Sequence, residues 1–185
     1  RDYAVILKNE GHDASFIKDV RTALALGISN SVHYWTTMST WLSEGMISCF
    51  ITGNAIAMRW DYAEANPLTP HYAGGLEFAF KKAEESLTAA IHLGKSAATV
   101  LQGNAINIPL PDDGADLFFT DPPYYDVVPY ADLSDLCYVW LKRFIGADHP
   151  DLFQTELTPK ADQIVVNPYA PEDGRGEQTP EAYQE

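Results

Sequence analysis

Two adjacent prolines, Pro122 and Pro123, stand between an aspartate and a pair of tyrosines in the string Thr120-Asp-Pro-Pro-Tyr-Tyr125. Proline carries no backbone N–H, fixes its own φ and drives the residue before it into an extended conformation. Asp121 and Pro122 are therefore stiff, and their acceptor oxygens are left free. Directly upstream, Asp116-Leu-Phe-Phe119 is a short apolar run of the kind that forms a buried strand. A strand emptying into this turn would set a carboxylate, two carbonyls and an aromatic ring at the carboxyl edge of a sheet, where open α/β folds bind ligands.

Such a group suits chemistry on a flat, amino-bearing ring. The exocyclic nitrogen of adenine or cytosine shares its lone pair with the ring and is a poor nucleophile. Two acceptors fixed around it, the Asp121 carboxylate and the Pro122 carbonyl, would hold its N–H bonds out of the ring plane. They would also stabilise the positive charge that grows on it during attack. Tyr124 supplies a π-face for a base taken out of its stack. Asp-Pro-Pro alone is an ordinary turn, and its setting is what makes this one specific. Ala98-Thr-Val-Leu101 reads as a strand ending in Gln102-Gly-Asn-Ala105; a polar loop, Pro109-Leu-Pro-Asp-Asp-Gly114, then leads to the second strand and the motif.

On these residues the sequence resembles the amino-methyltransferases that use S-adenosylmethionine, the class that makes N6-methyladenine or N4-methylcytosine in DNA. The stretch from Thr120 to Arg143, with Met58 to Pro67 upstream, is similar to the DUF1156 proteins, described as adenine-specific DNA methylases containing a zinc ribbon. The similarity runs from about residue 20 to about residue 168. It implies that Asp121, Pro122, Pro123 and Tyr124 are catalytic, and that Gly103, Asn104 and Ala105, with Asp121, lie by the cofactor. It also implies a flipped adenine in DNA as substrate, and it makes Trp60-Asp-Tyr-Ala-Glu-Ala-Asn-Pro67 a candidate wall of the pocket. A helix end broken at Asn66-Pro67 accounts for those last residues with less.

The class holds the methionine part of its cofactor on a Phe-x-Gly-x-Gly turn, which is not found here: Gly74-Gly75 follows no apolar run and Gly53 is isolated. The family's zinc-ribbon cysteines are also missing. With Arg1 as its first residue and a polar end, the chain reads as an internal piece of a longer protein.

The expected fold is α/β, a partial Rossmann-like class I methyltransferase fold with an N-terminal helical segment. Residues 1–70 form the mainly helical segment, 71–146 the α/β catalytic part, and 147–185 a loop-rich, partly flexible tail. Apolar residues recur at helical spacing from Phe16 to Met38, with Ser15 as a candidate N-cap. The aromatics Tyr34, Trp35 and Trp41 read as core packing ahead of a base channel. From Gly75 to Leu93 an amphipathic helix places Leu76, Phe80, Ala83, Leu87 and Ile91 on one face, with Gly94 as its C-cap. After the motif, Asp132 or Ser134 can cap a helix with Leu133, Leu136, Cys137, Trp140, Leu141 and Phe144 at threes and fours. Tyr125, Asp126 and Tyr130 then fall between strand and helix, where they could touch the base, and Tyr130 could equally pack on the core.

Composition bounds the partners. A net charge of −14 denies this stretch the cationic surface that dominates nucleic-acid affinity, so DNA contact must come mostly from other regions. The pairs Lys81-Lys82 and Lys142-Arg143 read as solvated helix faces ahead of phosphate contacts. No apolar run reaches membrane-spanning length, Cys49 and Cys137 suggest neither a disulfide framework nor a metal knuckle, and the five histidines lack ligand spacing. A cytoplasmic location without a metal follows as the expectation. Two alternatives stay open: an RNA guanine-N2 or other RNA amino-methyltransferase, and an inactive module that binds nucleic acid or protein.

Overall fold

A single aspartate decides where the longest helix begins. Asp13 takes an extended conformation, φ −74° and ψ 165°, and its Oδ1 accepts the Phe16 N–H at 2.8 Å. One of the four unpaired donors of a helix start is satisfied in this way. The cap is therefore Asp13 and not Ser15, which lies inside the helix. In the computed structural model, which describes residues 2–48, 58–72, 74–93, 98–101, 103, 107–124 and 128–160, the helices are α1 (Asp2–Asn9), α2 (Ala14–Val32), α3 (Leu76–Leu93) and α4 (Tyr130–Ile145). A 3-10 turn, Pro150–Leu152, follows.

The chain divides into two compact units. The first holds Arg1–Leu93 and Asp132–Thr158, the second Gly94–Ala131 and Pro159–Glu185. In the first, α2 packs on α3 where side chains are smallest, with Ala79 completely buried. Arg21 of α2 reaches the segment that ends α4: one guanidinium nitrogen donates to Asp148 Oδ1 at 3.1 Å and the other to the Phe144 carbonyl at 3.3 Å. Leu133, Tyr138 and Ile145 are the buried residues of α4. The Tyr138 hydroxyl donates to the Thr155 carbonyl, and its ring meets Phe153 at 5.3 Å, which ties down residues 153–158.

Helical spacing does not carry past α2. The chain turns at His33, and side chains of the following stretch satisfy backbone groups that a helix would have used. Ser39 Oγ donates to the Tyr34 and Thr36 carbonyls, and Thr36 Oγ1 accepts the Met38 N–H. Hydroxyl residues compete with helix in this way. A tight reversal follows, with Trp41 bridged to Ile47 and Gly45 at φ +76°, a conformation that glycine adopts without a Cβ penalty.

The expected α/β Rossmann-like fold is overturned: the described residues are helical and contain no β-sheet. Both proposed strands are irregular chain with no ladder among those residues. A strand of this composition must be covered on its faces, yet Val100 is 90% and Phe119 92% exposed. Leu117 and Phe118 are exposed beside them. A short apolar run reports hydrophobicity and not pairing, and the described residues supply no neighbouring strand.

Candidate functional site

The Asp-Pro-Pro-Tyr motif lies in the second unit, in irregular chain ahead of α4. Asp121, Pro122, Pro123 and Tyr124 line one hollow of about 330 Å³, and Tyr130, the first residue of α4, completes the lining. Asp121 and Pro122 are exposed and Pro123 is partly covered. Tyr124 is 64% exposed and Tyr130 41%. The run lies outside any helix, and its residues line a space open to solvent. One carboxylate, proline carbonyls and two phenol rings make a site that accepts N–H hydrogens and offers π-faces.

Of the residues expected beside the cofactor, Asn104 and Ala105 lie outside the described residues. Gly103 is exposed, and a Cβ there would meet only the Pro109 ring at 3.7 Å, an ordinary contact. Among the described residues, no close approach demands glycine at 103. Tyr125 and Asp126 also lie outside the description, as do Gly53, Gly94 and Cys49.

Elsewhere the residues singled out from the sequence take structural parts. Trp60 projects into solvent, while Ala63 is buried and its N–H donates to the Ser39 carbonyl at 3.1 Å. Asn66 does not end a helix. Its Oδ1 accepts the Leu68 N–H at 3.0 Å, an Asx turn that carries the chain round Pro67. Gly74 and Gly75, which no motif explained, are fitted by contact. A Cβ on Gly74 would stand 2.6 Å from the Tyr72 ring, and one on Gly75 2.5 Å from the Thr69 carbonyl oxygen. The indole N–H of Trp35 also donates to the Gly74 carbonyl.

Lys82 of the first cationic pair and both members of the second are engaged locally. Lys82 Nζ lies 2.8 Å from Glu85 Oε2 and sits over the Phe78 ring, and this lysine holds the Glu85 carboxyl below its ordinary range. Lys142 donates to the Thr155 carbonyl, and Arg143 lies over Trp140. A larger apolar recess of about 370 Å³, lined by Ile28, Val32, Trp35, Leu136, Trp140 and Phe144 with two threonines, offers no titratable group. Among the described residues no group of three or more His, Cys, Asp or Glu could hold a metal ion. None of the described helices is long and apolar enough to cross a membrane.

Two ionisable groups are moved by burial. His33, at the end of α2, has its pKa pushed below 6.5 by desolvation. Tyr72 is raised above 10.0, first by desolvation and then by the neighbouring Tyr34.

No family model, no curated protein and no solved structure matches the chain.

Proposed function

We propose that this chain carries the amine-holding part of an S-adenosylmethionine-dependent methyltransferase that modifies N6 of adenine in DNA. The observation that carries this reading is the grouping of Asp121, Pro122, Pro123 and Tyr124, with Tyr130, around a single hollow. A flipped adenine would lie on Tyr124 with its amino group directed to the Asp121 carboxylate and the Pro122 carbonyl. As the nitrogen loses conjugation and gains positive charge, a fixed anion and a fixed dipole stabilise that charge without having to reorganise. The methyl group is the cofactor's contribution.

The described residues hold only the amine side of this reaction. Binding of the cofactor is assigned to residues outside them, and so is most of the contact with the DNA backbone, because a chain of net charge −14 is repelled by phosphate. A cytoplasmic location belongs to the same proposal. It is supported by the absence, among the described residues, of a helix suited to a membrane.

The test is Asp121→Asn in the protein expressed from the full reading frame. The substitution keeps shape and removes the charge. Turnover is expected to fall by about a hundredfold or more, while cofactor affinity stays close to that of the unaltered protein. Turnover near normal would remove Asp121 from the mechanism and the proposal with it.

A further inference from the structure

Tyr130 opens α4 and shares the hollow of the Asp-Pro-Pro-Tyr motif, although seven residues of the sequence separate it from Pro122. Helical side chains tilt toward the N-terminus of their helix. A ring on the first residue of α4 is thus inclined toward the segment that precedes the helix. The turn into α4 is tight: the Tyr130 N–H donates to the Val128 carbonyl at 2.9 Å. Tyr130 is less exposed than Tyr124, and both line the same space as Asp121.

Aromatic faces bind nucleobases by stacking, and a base between two rings gains on both faces. A hollow with acceptors on its wall and two phenol rings on its border selects for a flat ring that also donates N–H. We propose that Tyr124 and Tyr130 are paired walls of a clamp on one amino-bearing base, and that Tyr130 acts through its ring and not its hydroxyl. The inference rests on the proposed function and deepens it by naming the second wall of the same site.

The experiment uses the protein expressed from the full reading frame and a single-stranded oligodeoxynucleotide with 2-aminopurine in place of adenine, whose fluorescence falls when the purine stacks on an aromatic ring. The unaltered protein and Tyr130→Phe are expected to quench alike. Tyr130→Ala and Tyr130→Leu should weaken the quenching interaction by about tenfold, with circular dichroism showing both variants folded. The leucine variant retains bulk at the helix start, so loss of the quench in it reports the ring. Quenching unchanged in both variants, or no quenching by the unaltered protein, overturns the clamp.

Methylation measured with the same protein preparations on the matching oligodeoxynucleotide that retains adenine separates the two ideas. Quenching that depends on Tyr130 without any methylated product would sink the proposed function and keep the clamp. Methylation that needs Asp121, with quenching and KM indifferent to Tyr130→Ala, would do the reverse.

Discussion

Gly27 of α2 lies against Ala79 of α3 so closely that a Cβ on the glycine would stand 3.1 Å from the Ala79 carbonyl oxygen and 3.4 Å from Ala83 Cβ. The helices meet at their smallest side chains, which explains why Ala79 is wholly covered while Leu87 and Ile91 on the same helix are exposed. Gly27→Leu should destabilise the first unit by about 2–3 kcal/mol through overpacking. Gly27→Ala should be close to neutral, since a gain of about 1 kcal/mol in helix propensity offsets a small separation of the helices. Urea unfolding of the purified chain measures both.

Gly75 and Gly103 form a contrasting pair. A methyl group on Gly75 would overlap the Thr69 carbonyl oxygen, which is backbone and cannot swing aside, whereas among the described residues one on Gly103 meets only an ordinary contact with Pro109. Gly75→Ala is expected to cost about 1–3 kcal/mol, and Gly103→Ala to leave the melting temperature unchanged. A cost at Gly103 equal to that at Gly75 would contradict the described contacts.

His33 gives stability a defined dependence on pH. Burial lowers its folded pKa below the ordinary 6.5, so below pH 6.5 the unfolded chain binds more protons than the folded one. Its contribution is fully present above pH 6.5 and is lost as pH falls through the folded value. Unfolding free energy measured from pH 7.5 downward should show this decline, and His33→Gln should remove that part of it.

Asp13→Ala removes the acceptor for the Phe16 N–H and should cost about 1 kcal/mol. Ser15→Ala, which alters a residue inside the helix, should cost less. The comparison distinguishes the observed cap from the one that the sequence suggested.

The helices were legible where local patterning decides them. The span from Gly75 to Leu93 was found within one residue, and the helix after the motif within a few, because spacing at threes and fours survives any tertiary arrangement. The apolar face proposed for α3 is only partly the covered one: Ala83 meets Gly27 while Phe80, Leu87 and Ile91 are exposed, and the closest contact is Gly27 with Ala79, a partnership that one helix's periodicity cannot reveal. The end of α2 was missed because Thr36 and Ser39 hydrogen-bond to nearby backbone groups, a local competition that the apolar pattern conceals. The expected strands failed for a different reason. Pairing is non-local, and Val100 and Phe119 look alike in sequence whether or not a ladder exists. At the candidate site, proline stiffness and the order of residues placed Asp121 to Tyr124 together, and Tyr130 was recognised as a neighbour of the motif without its place on the same hollow being evident.

The most direct measurement is mass spectrometry of nucleosides, DNA and RNA separately, from a methylation-deficient host expressing the full reading frame, beside one expressing its Asp121→Ala version. N6-methyladenine is expected in the DNA of the first host and should disappear with the substitution. A methylated base confined to RNA would move the reaction to another acceptor. Identical nucleosides from both hosts would contradict the claim that Asp121 and its neighbours form a methyl-acceptor site.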